Sequence, residues 1–275
     1  MILNLTHSEK NSHITFKVIN FSDSQKQIKL FFNNYSSIDN VEIYSRMSWD
    51  DLQIIIAATQ ALREHGIKLI DLYVPYFLGA RSDRKFEEGT SNYLKTVICP
   101  IINSQNYNKV TVLDPHSDVL EACLNNFVKI DNVFLISHFF NLLGIDDSPV
   151  LISPDAGALK KIYNVAEKFN INDIVVASKH RDISTGKILG TEVPRDNFEG
   201  KNVFIIDDIC DGGRTFIELA KKLKEKNSGK IYLIVTHGIF SAGIDVLKEH
   251  LDGIYTTNSV KDIQNDDFIK TFNIL

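Results

Sequence analysis

Cysteine is scarce in this chain: Cys99, Cys123 and Cys210 are the full complement among 275 residues. The number is odd, the spacing is wide and no Cys-x-x-Cys pair occurs, which argues against a disulfide framework or a zinc site and points to a reducing, cytoplasmic compartment. No run approaches the roughly 18 apolar residues of a membrane span. The opening Met1-Ile2-Leu3-Asn4-Leu5-Thr6-His7 is too short, and lacks the charged flank, for a secretory signal. Basic charge is in short supply too: 30 Lys and Arg stand against 35 Asp and Glu, for a net charge of −5, and no Lys/Arg block stands out. A membrane partner is not expected, and broad nucleic-acid binding is disfavoured, whereas a local basic pocket for a small anion is not. The remainder, 44% hydrophobic and 24% charged, suits a globular protein with one large core or two moderate ones.

The chain is organised around Val203-Phe204-Ile205-Ile206-Asp207-Asp208-Ile209-Cys210-Asp211-Gly212-Gly213-Arg214-Thr215. Four apolar residues without alternation predict a strand buried on both faces, with the two aspartates where it emerges. A short Gly-rich loop then opens into a helical run from Phe216. A tight loop at a helix N-terminus offers unpaired N–H groups and the positive end of the dipole, which favour a phosphate, and the carboxylates beside it suit ribose hydroxyls or a metal ion. Taken alone, this stretch is equally an ordinary strand, acidic turn and helix.

Earlier in the chain, residues 1–5 and 14–21 predict two strands forming a hairpin, followed by strands over 27–32 and 40–44. Ser48 is the expected N-cap of a helix carrying Leu52, Ile55, Ile56, Thr59 and Leu62 and ending at Gly66. A buried strand over 68–74 leads into the charged loop 79–89. A helix over 91–105 is expected to kink at Pro100. A strand over 109–113 and the loop Asp114-Pro115-His116-Ser117-Asp118 follow. Past a polar break near 146–149, the plan recurs: a strand over 150–152, the loop Ser153-Pro154-Asp155-Ala156-Gly157, a helix, a strand over 174–178, a polar excursion over 179–201, then the central stretch and a strand over 230–236. Alternating strands and helices predict an α/β protein with two domains, each a mainly parallel sheet flanked by helices, over 1–140 and 141–275, the last residues being candidates for a return to the first domain.

The loops at the predicted strand ends, taken in order, resemble those of the ribose-phosphate diphosphokinases, or phosphoribosyl pyrophosphate synthetases. They are Phe21-Ser22-Asp23, the run from Pro75 to Lys85, Asp114-Pro115-His116-Ser117, Ser153-Pro154-Asp155-Ala156-Gly157, Lys179-His180-Arg181 and the central loop, with Thr236-His237-Gly238 and Thr256-Thr257-Asn258-Ser259-Val260 in the tail. Each is weak alone, and six in order are strong. The resemblance implies two phosphoribosyltransferase-like domains and Mg²⁺-dependent transfer of the diphosphate of ATP to the 1-hydroxyl of ribose 5-phosphate. It implies Lys179 and Arg181 at the transferring phosphates, and His116 and Asp155 as magnesium contacts. ATP is assigned to Arg81 and Ser82 and to Phe21, Asp23 and Gln25, the last three commonly serving a neighbouring subunit in a homodimer or larger homo-oligomer. Asp207, Asp208 and Asp211 fall at the ribose, and Gly212, Gly213, Arg214 and Thr215 at its 5-phosphate. On residue type alone Phe21 is equally a core aromatic, and Lys179 with Arg181 a solvated basic loop.

The chain also departs from that pattern. Where the family commonly has Asp-Thr-Ala-Gly-Thr, this chain has Asp211-Gly212-Gly213-Arg214-Thr215. An arginine there clamps a phosphate bidentately or points to solvent; in the first case a 5-diphosphate, as in ADP-ribose, is an alternative acceptor. Ser82, Gln25 and Pro115 replace the usual Gln, Glu and Leu. The ends look short, so ring assembly and allosteric control are not carried over. A transferase that consumes phosphoribosyl diphosphate, and a non-catalytic regulator or sensor on the same fold, stand as competing classes.

Overall fold

The computed structural model describes residues 1–7, 12–32, 38–145, 149–181 and 188–275, with backbone alone for 179–181, 188 and 189. It divides into two compact units, residues 1–131 with Leu275, and residues 132–274.

The first unit is built on a five-stranded parallel sheet. Its strands are β1 (Ile2–Asn4), β4 (Asn40–Tyr44), β5 (Leu69–Tyr73), β6 (Lys109–Leu113) and β7 (Phe127–Ile130), in that spatial order. The hairpin expected from residues 1–5 and 14–21 is not formed. Ile2, Leu3 and Asn4 pair in parallel with Glu42, Ile43 and Tyr44. The antiparallel pair is instead β2 (Ile14–Asn20) with β3 (Lys26–Phe32), whose alternating side chains leave one face to solvent. Helix α1 (Trp49–Glu64) follows β4. Ser48 caps it by accepting from the Asp51 N–H, while the Asp51 carboxylate accepts from the Ser48 N–H at 2.8 Å, a reciprocal arrangement worth about 1 kcal/mol. Leu52, Ile55, Ala58, Thr59 and Leu62 form its buried stripe. The helix stops where Gly66 takes a φ of +91°, with no Cβ to oppose it. The 91–105 segment does change character near Pro100: a π-helical stretch, Leu94–Ile98, hands over to α2 (Cys99–Asn103), with the proline in the first turn of α2. A short α3 (Val119–Cys123) leads to β7.

Helix α4 (Val133–Leu143) opens the second unit, so the division falls ahead of this helix and not behind it at 140/141. Leu135, Ile136, Phe139 and Phe140 are buried with Leu151 and Phe204, and Phe140 and Phe204 meet edge to face at 5.5 Å between centroids. The strands are β8 (Val150–Ser153), β9 (Ile174–Val176), β12 (Val203–Cys210), β13 (Ile231–Gly238), β14 (Gly253–Thr257) and β15 (Ile269–Phe272), in the parallel order β15-β14-β13-β12-β8-β9. Helix α5 (Leu159–Phe169) follows β8, α6 (Arg214–Glu225) follows β12, and a single turn, α7 (Asp245–Lys248), lies between β13 and β14. Strand alternation sorts the core. Phe204 and Ile206 pack with α4 and α5, whereas Val203 and Ile205 pack with Phe216, Leu219 and Leu223 of α6. β10 (Ser178–Arg181) and β11 (Ile188–Glu192) form a separate antiparallel pair within the polar excursion. This architecture is the expected α/β class: parallel sheets flanked by helices, one in each unit.

Candidate active site

Between β8 and β12 the connections of the second sheet reverse direction: β9 lies to one side of β8, while β13, β14 and β15 run off from the other side of β12. Such a reversal leaves a crevice at the carboxyl ends of the two strands, where ligands of open α/β sheets bind. The two loops that open there are 154–158 and 211–213.

β12 is longer than its apolar run suggests. It continues through the acidic pair to Cys210, with Asp207 opposite Val235 and Ile209 opposite His237, so the aspartates lie inside the strand and not beyond it. Pairing with the buried strand β13 holds this segment extended despite the poor strand propensity of aspartate. Successive side chains of a strand leave opposite faces. Asp208 turns to the α5 side, is almost fully buried and lies 3.3 Å from the Lys161 ammonium, itself largely covered. Asp207 is partly buried, and its Oδ1 accepts from the Asp208 N–H at 2.9 Å. Its carboxyl is pushed well above the ordinary range, first by burial and then by the negative charges of Asp208 and Asp155. Burial also pushes the Cys210 thiol up to about 12, with help from Asp207 and Asp211, so it stays protonated and is no nucleophile.

Helix α6 starts at Arg214, two residues before the expected Phe216. Its N-cap is Gly213, in the left-handed region at φ +79°, which lets the chain turn from strand into helix. Among the described residues, no side chain caps this end. The first-turn N–H groups therefore face the crevice at the positive end of a 12-residue helix. Gly212 is exposed and Arg214, at the first helical position, is exposed beside it. The loop is braced from below by a segment absent from the sequence expectations. Ile239 and Phe240 donate their N–H groups to the Cys210 carbonyl and Ser241 donates to that of Asp211, while the Leu247 side chain lies where a Gly213 Cβ would sit. In the loop after the neighbouring strand β8, Asp155 Oδ1 accepts from the Gly157 and Ala158 N–H groups at 2.9 and 3.2 Å, which fixes this carboxylate at the entry to α5.

The remaining predicted residues fall elsewhere. Lys179 and Arg181 lie on β10, opposite Thr191 and Ile188, with their side chains outside the described residues; residues 182–187 lie outside them as well. In the first unit, Phe21, Asp23 and Gln25 form the exposed turn between β2 and β3: the Phe21 N–H donates to the Gln25 carbonyl and the Gln25 N–H to Asp23 Oδ1. Phe21 is 49% exposed, which removes the core-aromatic alternative. Arg81 is exposed and Ser82 partly buried in the loop after β5. That loop is pinned to the 92–103 helical segment: Leu94 donates to the Ser82 carbonyl, Asn92 Nδ2 donates to the Asp83 carbonyl at 2.7 Å, and the Tyr93 ring packs on Gly79. Tyr93 is itself held by the Trp49 indole, which donates to its hydroxyl at 2.8 Å. His116 is exposed in the loop after β6, in the first unit, whereas Asp155 belongs to the second. Among the described residues, no three His, Cys, Asp or Glu side chains are gathered to enclose a metal ion, and no helix is long and apolar enough to cross a membrane.

A parallel sheet with a reversal, an acidic pair at the end of its central strand and an uncapped, glycine-led helix beside that pair define the phosphoribosyltransferase-like class of α/β proteins. Comparison with known proteins narrows the class. A family model described as phosphoribosyl synthetase-associated domain matches residues 191–274. The ribose-phosphate pyrophosphokinase of Vibrio vulnificus is 25% identical over 252 residues, covering 88% of this chain and 78% of the relative. That of Thermococcus kodakarensis is 28% identical over 250 residues, covering 87% and 84%. The crystal structure of phosphoribosylpyrophosphate synthetase from Mycobacterium smegmatis superposes with a TM-score of 0.79 at 18% identity, covering 94% of this chain and 86% of the other. Over most of its length, then, the chain is similar to ribose-phosphate pyrophosphokinases and shares the fold of a phosphoribosylpyrophosphate synthetase.

Proposed function

We propose that this protein transfers the diphosphate of ATP to the 1-hydroxyl of ribose 5-phosphate, releasing AMP and phosphoribosyl diphosphate. The observation that carries this reading is the pairing, at the sheet reversal, of an acidic strand end with an uncapped helix N-terminus: a hydroxyl-binding group and a phosphate-binding group side by side. In the proposed reaction the 1-hydroxyl oxygen attacks the β-phosphorus of ATP, the bond from that phosphorus to the α–β bridging oxygen breaks, AMP departs, and the hydroxyl proton passes to solvent. Catalysis of such a transfer rests on positioning and charge cancellation more than on covalent chemistry.

Asp207 and Asp208 accept from the ribose hydroxyls, with Asp211 beside the sugar. The N–H groups of Gly212, Gly213, Arg214 and Thr215 hold the 5-phosphate. Arg81 and Ser82 take the ATP phosphates, the Phe21, Asp23 and Gln25 turn takes adenine, and Lys179 with Arg181 neutralise the transferring group. An exposed aromatic turn suits adenine in a second copy's site, hence a homodimer or larger homo-oligomer. Asp155 and His116 are the residues to hold Mg²⁺. Magnesium keeps most of its waters and takes one or two carboxylates along with substrate phosphates, so a single oriented Asp155 fits it without a closed cage of protein ligands. When bound, the ion supplies charge neutralisation to the ATP phosphates. The imidazole of His116 is the weaker match for an oxygen-seeking ion.

ADP-ribose is the second acceptor to weigh, because the exposed Arg214 at the head of α6 is placed for a further phosphate on the 5-position; this would tie the protein to NAD metabolism. A cytoplasmic enzyme of nucleotide biosynthesis follows from the first acceptor. AMP release from ATP and Mg²⁺, measured with ribose 5-phosphate, with ADP-ribose and with no acceptor, tests the reading. Acceptor-dependent AMP supports it and selects the substrate. No AMP with either sugar returns the protein to the regulator or sensor class.

A further inference from the structure

We propose that Lys161 is a positioning residue of the sugar site, acting through Asp208, whose carboxylate it holds fixed in orientation as an acceptor for a ribose hydroxyl. The proposal rests on the reading of the Asp207 and Asp208 pair as the sugar-hydroxyl site.

Lys161 is the third residue of α5, the helix entered through the Ser153-Pro154-Asp155 loop. A cation there stands at the positive end of the helix dipole, an unfavourable place. It is also poorly solvated: its side chain is 18% exposed, and that of Asp208 is 7% exposed, with Nζ and Oδ2 3.3 Å apart. Buried pairs of this kind are weak evidence for stability, because apolar residues of similar volume usually serve a core as well or better. What the ammonium does locally is electrostatic. Asp207, Asp208 and Asp155 lie within mutual influence, and carboxylates crowded at one strand end repel one another and rotate apart unless a counter-charge holds them. Strand alternation directs Asp208 to the α5 face, so the counter-charge that fixes this carboxylate comes from α5.

The test combines variants Lys161→Met, Asp208→Asn and the double substitution, with Lys161→Arg as the conservative control. Steady-state AMP release gives kcat and both KM values, and calorimetry with ribose 5-phosphate alone gives binding. The expected result for Lys161→Met is a rise of about tenfold or more in KM for ribose 5-phosphate, with KM for ATP and kcat changed by less than about threefold, and substantial recovery in Lys161→Arg. A residue acting through Asp208 adds nothing once Asp208 is gone, so the double variant binds the sugar as Asp208→Asn does, within about twofold. If Lys161→Met does not fold, the double variant, which carries neither buried charge, still decides the comparison with Asp208→Asn. A double variant weaker than Asp208→Asn by a further factor of about ten overturns the proposal, because Lys161 then acts independently. An unchanged KM for the sugar in a folded Lys161→Met overturns it as well. Wild-type protein that binds no ribose 5-phosphate overturns the reading beneath it and the proposal with it, an outcome distinct from wild-type binding that the lysine variant retains.

Discussion

Substituting Gly213 by alanine measures how rigidly the loop between β12 and α6 is built. Two costs add. The residue sits at φ +79°, where an L side chain costs about 1–2 kcal/mol. Its new Cβ would stand 2.9 Å from Leu247 Cδ2, 3.4 Å from Cγ and 3.6 Å from Cδ1. Leu247 is 1% exposed and belongs to the α6-side core, so it yields only by repacking, at about 1–3 kcal/mol. The total of about 2–5 kcal/mol corresponds to a fall of roughly 5–15 °C in the melting temperature of a unit this size. Gly212→Ala is the control. Its φ lies outside the left-handed region and its nearest new neighbour is Ser241 Oγ at 3.8 Å, so its stability should change by no more than about 0.5 kcal/mol. Thermal and urea unfolding followed by circular dichroism compare the two. If Gly213→Ala melts within a degree or two of Gly212→Ala, the loop is not braced by Leu247 as described. Sugar-phosphate affinity should run the opposite way per degree of melting lost: Gly212→Ala, stable but carrying a methyl at the exposed face of the cradle, weakens ribose 5-phosphate binding without unfolding.

Three further outcomes are expected. Lys179→Ala should lower kcat for AMP release by orders of magnitude while ribose 5-phosphate binding stays near wild type; a large loss of sugar binding at unchanged turnover counts against its role at the transferring phosphates. Arg214→Gly should impair ADP-ribose turnover far more than ribose 5-phosphate turnover if the guanidinium reads a second phosphate, and equal losses rule that out. Asp207 holds its proton more tightly in the folded than in the unfolded chain, so its contribution to stability falls as pH rises from the ordinary carboxylate range, about 4, through its raised native value. Asp207→Asn, melted with a chelator and no substrate, should accordingly be the more stable protein at pH 7, with the difference closing toward pH 4; a variant less stable at pH 7 contradicts the assignment.

What could be read from the chain in advance was local. The run from Val203 to Ile206 announced a doubly buried strand, and Gly212 with Gly213 announced the turn into α6, because these signals depend on adjacent residues. The extent of β12 was not legible: aspartate disfavours strands, and only lateral pairing with Val235 and His237 on β13 keeps 207–210 extended. The partner of Ile2–Asn4 was missed for a related reason. A nearby polar turn suggested a hairpin, whereas the parallel register with 42–44 leaves no local trace. Helix α4 is apolar on nearly every side and lacks a side-chain cap, so nothing local moves the expected boundary at 140/141 ahead of it; its contacts with Phe204 place it in the second core. Within the site, the loop motifs were visible, and Lys161 and the 239–247 brace were not, since they reach the crevice from neighbouring elements. A lysine in the first turn of α5, against the helix dipole, was the available clue to the former.

The brace beneath the Gly212-Gly213 loop bears on timing. With the Cys210 and Asp211 carbonyls engaged from below and Leu247 filling the space behind Gly213, the loop has little ordering left to do when a phosphate arrives. Association of the sugar phosphate should then follow a single exponential whose rate rises in proportion to ligand concentration without a plateau, and residence time, rather than a slow closure of this loop, sets its affinity.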